Sequence, residues 1–303
     1  MKRYLALSRT THGILDLASP AFCAVLWLGM FPPVPTILLG ALTAFAAYTS
    51  VYALNDLVGM THDREKFAGT GINPGYSVEA SALRYPLAQS VLNRRQAWLW
   101  MGGWFALALI GAYLLNPISA LILIVASALE VLYCNLLKVT HWRALVSGLV
   151  KTSGPMAAIF AVDRAPEPLL MLIPFAWMFF WEIGGQNIPA DWNDTEEDRR
   201  VDARTIPVQF GFKTAGVLVM AGLLLAVVMS AFLPQASPAP LRTAFAAAAV
   251  LVGIFMLLRP AYRLFRFHEG RQAARLFDSA SYYPLSMLVL ISAFLIAQKL
   301  FPS

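Results

Sequence analysis

Two groups of side chains combine residue types that bind metal ions. The first group is Asn55, Asp56 and Asp63 in the stretch NDLVGMTHD, and the second is Asp191, Asp194 and Asp198 in DWNDTEEDRR. In a helix, residues three or seven positions apart share one face. Two such faces set opposite each other would form a site rich in oxygen ligands, which Mg²⁺ prefers. The alternative interpretation is that these acids are only the solvated ends of helices.

The rest of the chain is too apolar for a soluble domain. Of its 303 residues, 58% are hydrophobic and 13% are charged, and the mean hydropathy is +0.62. This composition predicts an integral membrane protein, in contact with lipid. Apolar segments of about 20 residues match a hydrocarbon core of about 30 Å, and backbone in lipid must form helices. We predict nine membrane-spanning helices, at residues 12–31, 34–54, 97–115, 118–137, 143–162, 168–190, 214–234, 241–258 and 280–298.

The basic residues lie mostly on one side of the predicted membrane. The amino terminus and the loops after the even-numbered spans hold nearly all of the 23 Lys and Arg. Such a bias predicts that this side faces the cytoplasm and argues against a nucleic-acid partner. We therefore expect a bacterial inner-membrane protein with a cytoplasmic amino terminus. Two long cytoplasmic loops, at residues 56–96 and 191–213, are expected to carry the acidic groups.

The acidic groups occupy matching places along the chain, after the second and the sixth span. This arrangement predicts a single domain over residues 1–303, built from two four-helix units at about 1–140 and 141–258, with a final helix at about 280–298. Internal repeats of this kind are typical of membrane enzymes and of transporters. A transporter is thus a second interpretation, although it leaves the aligned aspartates of the second group unexplained.

The acidic stretches resemble the two motifs of the UbiA superfamily of intramembrane prenyltransferases. That family has N-D-x-x-D-x-x-x-D after its second helix and D-x-x-D-x-x-x-D after its sixth. The second motif is intact here, whereas Gly59 stands at the middle aspartate position of the first. RYPLA at 84–88 is similar to an Arg-Pro-Leu segment of the family, and Arg9 is similar to its amino-terminal arginine. The resemblance extends over essentially the whole chain.

The resemblance implies an all-α bundle of about nine transmembrane helices around a central cavity. It also implies Mg²⁺-dependent transfer of a prenyl group from a polyprenyl diphosphate to an aromatic acceptor, hydroxybenzoate-like or naphthoate-like, in quinone biosynthesis. The prenyl tail would lie in an apolar tunnel open to membrane lipid. The alternative in the same fold is a terpene synthase, which acts on a prenyl diphosphate without an acceptor.

The resemblance also assigns roles to individual residues. The catalytic residues would be Asp56, Asp63, Asp191, Asp194 and Asp198, and the metal ligands would be these five together with Asn55. The substrate-binding residues would be Asn55, Arg64, Arg84, Tyr133, Lys138, Arg199 and Arg9. With Gly59 in the first motif, we expect a working enzyme whose metal affinity is lower at that half of the site.

Four ionisable residues fall inside predicted spans, namely Asp16, Glu130, Lys151 and Glu182. Such residues are costly in lipid and are expected to face a cavity or one another. For Lys151 two interpretations remain open at this point: it pairs with one of the acids, or it binds an anionic acceptor such as an aromatic carboxylate.

Overall fold

The computed structural model describes residues 1–67 and 83–300, and within these ranges it contains helices and turns but no β-strand. Nine helical segments in these ranges are long and apolar enough to cross a membrane, in the predicted chain order. The prediction of an all-α membrane protein with nine spans is therefore confirmed. The division into two four-helix units stays a prediction.

Fourteen α-helices follow one another along the described chain. They are α1 (Lys2–Leu7), α2 (Thr10–Asp16), α3 (Ala18–Leu28), α4 (Val34–Phe67), α5 (Arg94–Leu115), α6 (Pro117–Asn135), α7 (Arg143–Val162), α8 (Pro168–Trp181), α9 (Ile188–Asn193), α10 (Thr195–Arg200), α11 (Ile206–Phe232), α12 (Arg242–Gly253), α13 (Arg259–Phe267) and α14 (Gly270–Leu300). Two π-helical segments, Glu182–Asn187 and Ile254–Leu258, continue α8 into α9 and α12 into α13, and a short 3₁₀ helix, Leu233–Ala236, follows α11.

Local sequence sets several of the helix starts. The side chains of Asn93, Asn116 and Glu167 each accept a hydrogen bond from a backbone N–H in the first turn of α5, α6 and α8. A proline follows Asn116 and Glu167 directly, at a position where a helix needs no N–H donor. Local sequence alone thus explains why α6 and α8 begin where they do.

The acidic groups lie on helices rather than in the long loops that the sequence predicts. The second span does not end at residue 54, because α4 continues to Phe67 and carries both Asp56 and Asp63. Helices α9 and α10 likewise cover most of the second group. No proline interrupts residues 36–67, and Arg9 lies against Asp56 and offsets its negative charge. The helix can therefore extend beyond its apolar part.

The largest hydrophobic core lies between α3, α7, α8, α11 and α14 and includes Phe22, Trp177, Trp181, Leu223 and Tyr283, all almost fully buried. Large apolar side chains on other faces are exposed, as expected where a helix contacts lipid. Helix α4 packs on α5 and α6 and leaves its remaining face open to the interior of the bundle. That open face forms one wall of a cavity.

The π-helical segment Glu182–Asn187 packs very closely against its neighbours. A Cβ atom added to Gly184 would lie 3.0 Å from the carbonyl oxygen of Val219 on α11, and one added to Gly185 would lie 2.9 Å from Cβ of Ala280 on α14. The two glycines thus let the backbone approach α11 and α14, while Glu182 and Asn187 at the ends of the segment line the cavity. Short π-helical segments within a helix frequently occur at functional sites.

Candidate active site

A cavity of about 640 Å³ runs through the bundle between α2, α3, α4, α6, α7, the π-helical segment and α14. One end is lined by charged side chains, among them Asp63, Lys66 and Asp194. The other end is apolar and includes Phe31 and Leu288. The volume is in the range of small-molecule sites in proteins. The central cavity that the sequence predicts is therefore present, and it is charged at one end only.

The first acidic group turns one face of α4 toward this cavity. Asn55, Gly59 and Asp63 are spaced four residues apart and all line it. Asp56 lies on the flank of the helix, is 2% exposed, and does not line the cavity. Its Oδ1 lies 3.4 Å from Nη2 of Arg9, which also donates a hydrogen bond of 3.1 Å to Oδ1 of Asn55.

Each aspartate of the second group lies against a cation from another part of the chain. Oδ1 of Asp191 accepts a hydrogen bond of 3.0 Å from Arg143 of α7, and Oδ2 of Asp194 accepts one of 3.2 Å from Arg84. Nζ of Lys66 on α4 lies 2.7 Å from Oδ1 of Asp198. These pairs offset the repulsion between aligned carboxylates, and the pair of Lys66 and Asp198 joins α4 to α10.

Gly59 leaves open space beside Asp63. A Cβ atom added at this position would meet only the carboxylate of Asp63, with Oδ2 at 3.4 Å, which is an ordinary contact distance. The middle position of the first motif thus faces the cavity and has room for a side chain, but it carries no carboxylate. The expected lower metal affinity at this half of the site stays a prediction.

The candidate substrate-binding residues fall into two sets. Those that line the cavity are Arg9, Asn55, Arg84 and Tyr133. The other three lie on outward faces of their helices or turns: Arg64 donates to the carbonyl oxygen of Leu87, Lys138 pairs with Glu65, and Arg199 is exposed. The structure therefore brings the first set to the charged end of the cavity and does not bring Arg64, Lys138 or Arg199 there.

Two further cations, Lys66 and Arg143, lie at the charged end of the cavity. Lys66 lies three residues after Asp63 and seven after Gly59, so helical spacing alone points to it as a cavity residue. Arg143 is buried, and its guanidinium lies 4.0 Å from the ring centroid of Tyr133. The pairing of Arg143 with Asp191 depends on how α7 packs against α9, which the sequence pattern does not give.

Tyr85 closes the charged end from the turn that precedes α5. Its backbone is in the left-handed region, at φ 58°, and its ring contacts the guanidinium of Arg84 at 4.8 Å. Burial raises the pKa of the Tyr85 phenol above its ordinary value, so the side chain stays neutral at physiological pH. Neutral Tyr85 therefore adds no negative charge to the acidic groups beside it.

Deeper in the cavity, Lys151 pairs with an acid, as one of the two interpretations expects. Its Nζ lies 2.7 Å from Oδ2 of Asp16 on α2. Glu130 accepts a hydrogen bond from Nδ2 of Asn55, and Glu182 accepts one of 2.7 Å from Oγ of Ser147. All four ionisable residues of the spans thus contact other polar groups, and Glu130, Lys151 and Glu182 line the cavity.

Comparison with known protein families shows which family this chain belongs to. The model of the UbiA prenyltransferase family matches residues 17–296. The chain belongs to the UbiA prenyltransferase family. It is accordingly a membrane-bound prenyltransferase, and the resemblance of its two acidic motifs is confirmed. No curated protein sequence matches the chain at a significant level.

Solved structures of UbiA proteins share the fold over nearly the full length of both chains. A UbiA homologue from Aeropyrum pernix K1 has 20% identity and a TM-score of 0.71, with 95% of this chain and 98% of that chain covered. A homologue from Archaeoglobus fulgidus bound to GPP and Mg²⁺ has 16% identity and a TM-score of 0.70, with 96% and 99% covered. At this identity the likeness shows the fold alone.

The oxygen atoms at the charged end suit a hard divalent cation chemically. Asp63, Asp191 and Asp194 offer carboxylates to the cavity, and the buried Oδ1 of Asn187 accepts no hydrogen bond from residues 1–67 or 83–300. Within the same ranges, no three acidic, histidine or cysteine side chains are close enough together to hold a metal ion. Four of the five motif aspartates are instead turned toward cations. The assignment of metal ligands therefore stays a prediction.

Proposed function

We propose that the protein transfers a prenyl group from a polyprenyl diphosphate to a hydroxybenzoate-like or naphthoate-like aromatic acceptor, in a Mg²⁺-dependent step of quinone biosynthesis. The observation that carries the proposal is a single cavity whose charged end joins both UbiA motifs and whose other end is apolar. A prenyl diphosphate has the same division between a charged head and an apolar tail.

The charged end offers both kinds of group that a diphosphate requires. Lys66, Arg84 and Arg143 are cations next to the cavity, and guanidinium groups bind phosphate oxygens through paired hydrogen bonds. Asp63, Asp191 and Asp194, with the amide oxygens of Asn55 and Asn187, would hold Mg²⁺. Bound Mg²⁺ would offset the charge that develops on the departing diphosphate.

The apolar end would hold the prenyl tail and exclude water from the reacting carbon. Small side chains dominate this end, including Gly40, Ala44, Ala47, Ala157 and Ala161, and they leave room for a chain of methyl-branched carbons. Exclusion of water matters because water would capture an allylic carbocation before the acceptor does. The walls of the cavity therefore support transfer of the prenyl group rather than its hydrolysis.

We also propose that the charged end faces the cytoplasm of a bacterial cell, with the protein in the inner membrane. The basic residues of the chain are concentrated on the side of the bundle that carries the acidic motifs, as the positive-inside bias requires. The diphosphate donor would then enter from the cytoplasmic leaflet, and lipid would contact the exposed apolar faces of the helices.

Product analysis tests the proposal directly. Membranes containing the protein are incubated with labelled prenyl diphosphates of several chain lengths, Mg²⁺ and a panel of phenolic acids. A prenylated aromatic lipid and release of pyrophosphate are expected, and both should be lost on chelation of Mg²⁺ or in Asp191→Asn. A cyclised hydrocarbon or alcohol formed without an acceptor would overturn the proposal in favour of a terpene synthase.

A further inference from the structure

A second group of polar residues lies in the cavity, on the apolar side of the charged end. Nζ of Lys151 donates to Oδ2 of Asp16 at 2.7 Å and to the hydroxyl of Tyr52 at 3.0 Å. Nε2 of His12 lies 3.5 Å from the other oxygen of Asp16. The negative charge of Asp16 is therefore matched by Lys151 within the protein.

Glu182 lies in the same part of the cavity and has an oxygen atom with no partner. Its Oε1 accepts the hydrogen bond from Ser147, whereas its Oε2 accepts none from any residue in 1–67 or 83–300. The side chain is 6% exposed and lines the cavity. A buried acceptor left without a donor costs about 1–3 kcal/mol, so it is normally matched by a protein group, an ordered water or a bound ligand.

The position of Glu182 limits what that molecule can be. Ser147 and Lys151 lie four and eight residues beyond Arg143 on α7, and Glu182 lies nine residues before Asp191 on the facing wall. Because Glu182 accepts a hydrogen bond from Ser147, about one turn beyond Arg143 on α7, its carboxylate lies about 6 Å deeper than the Arg143–Asp191 pair at 1.5 Å per helical residue. A molecule that reacts beside the diphosphate would therefore reach Glu182 with its far edge.

The chemistry of Glu182 also limits which group of a bound molecule can contact it. A hydrocarbon tail has no donor for Oε2 of Glu182. A carboxylate would face repulsion from Glu182, and the nearby cation Lys151 is held by Asp16. A hydroxyl group supplies the missing donor without adding charge, and hydrogen bonds from hydroxyls to carboxylates are among the stronger ones in proteins.

We propose that Oε2 of Glu182 accepts a hydrogen bond from a ring hydroxyl of the aromatic acceptor, which makes Glu182 a specificity-determining residue for hydroxylated acceptors. This inference rests on the proposed prenyl transfer to an aromatic acceptor. It adds that the hydroxyl, rather than a carboxylate of the acceptor, points toward the middle of the membrane. A carboxylate on the same ring would lie nearer the cations of the charged end.

Glu182→Gln tests the inference with little change of shape, because the amide can still accept the hydrogen bond from Ser147. The probes are 4-hydroxybenzoate and 4-methoxybenzoate, each with a saturating prenyl diphosphate. We expect the KM for 4-hydroxybenzoate to rise about tenfold and the KM for the diphosphate to stay unchanged. The native protein should prefer the hydroxyl over the methoxy compound, and Glu182→Gln should lose most of that preference.

Glu269→Gln is the matched control, since it makes the same change at an exposed position outside the cavity. Thermal unfolding of both variants in detergent shows whether Glu182→Gln folds. If prenyl transfer occurs and Glu182→Gln keeps the native preference for hydroxyl, the inference is wrong and the proposed function stands. If neither phenolic acids nor other aromatic acceptors are prenylated by the native protein, the proposed function fails, and this inference fails with it.

Discussion

Gly59 is the residue at which this chain departs from the first UbiA motif, and its surroundings show why the departure is tolerated. The position faces the cavity, and the space beside Asp63 is open. Near it, Asp56, Asp194 and Asp198 lie against Arg9, Arg84 and Lys66. These three carboxylates are thus balanced by cations of the chain itself, so this part of the site does not need a further acid to keep its shape.

Gly59→Asp should restore an oxygen ligand at the charged end. The new carboxylate would lie beside Asp63, so the Mg²⁺ concentration for half-maximal turnover should fall by about tenfold. Turnover at a range of Mg²⁺ concentrations measures the effect. Gly59→Asn is the control, because it has nearly the same size without the charge and should shift the Mg²⁺ dependence less. An unchanged Mg²⁺ dependence in Gly59→Asp would contradict the expected role of this position.

Lys66→Met should destabilise the protein by leaving Asp198 buried without its cation. Lys66 is 8% exposed and Asp198 is 1% exposed, and breaking a buried pair from one side costs about 3–5 kcal/mol. Thermal unfolding in detergent should show a lower midpoint than for Lys213→Met, which removes an exposed lysine. The double variant with Asp198→Asn should recover much of the loss, and failure to recover would show that the pair is not the cause.

The residue pattern brings together four residues that all line the cavity, while their roles stay predictions. It identifies Asn55, Asp63, Asp191 and Asp194 as residues of one site, because the two motifs fix their spacing on helices. It does not show that Asp56 and Asp198 lie outside the lining of the cavity. The rotation of α4 and α10 about their axes decides this, and that rotation depends on packing between helices far apart in the sequence.

At the scale of helices, the length of an apolar segment is the sequence feature that best predicts a membrane-spanning helix. Nine segments of about 20 apolar residues correspond to the nine spans found within residues 1–67 and 83–300, whereas the ends of the spans follow from contacts that the sequence does not show. Helix α4 extends to Phe67 where the apolar pattern ends near Leu54. The π-helical segment Glu182–Asn187 is likewise invisible in the apolar pattern, because it depends on close packing of Gly184 and Gly185 against α11 and α14.

Gly184→Ala should destabilise the protein, because the new methyl group would lie 3.0 Å from the backbone carbonyl of Val219. Overpacking of this kind costs about 1–3 kcal/mol. Gly102→Ala on α5 is the control, since nothing lies within 4 Å of its added Cβ, and it should be neutral or slightly stabilising. Thermal unfolding in detergent compares the two variants. Equal stability would mean that the π-helical segment shifts freely, contrary to its close packing.

At the scale of the whole molecule, the bundle forms one cavity that changes character along its length. Charged groups line one end, a smaller polar group around Lys151 and Glu182 follows, and small apolar side chains line the remainder. The resemblance to the UbiA superfamily predicts a central cavity. It does not predict this order of surfaces, since side chains from several helical segments far apart in the sequence contribute to the lining.

Ala44→Phe should shorten the space available to the prenyl tail. Ala44 lines the apolar part of the cavity on α4, and a phenyl group there would occupy volume that a long tail requires. We expect turnover with long prenyl diphosphates to fall at least tenfold, while the shortest donors remain substrates. Ala106→Phe, on the lipid-facing side of α5, should leave the preference for chain length unchanged. A uniform loss with all donors would contradict the expected path of the tail.

The ion pairs between Lys66 and Asp198, Arg84 and Asp194, and Arg143 and Asp191 have a consequence for how the donor binds. In the proposed reaction, arrival of the donor would be an exchange of partners: Asp191 and Asp194 would hold the metal, and Arg143 and Arg84 would bind phosphate oxygens. Because the exchange occurs among groups shielded from bulk solution, donor affinity should respond only weakly to ionic strength.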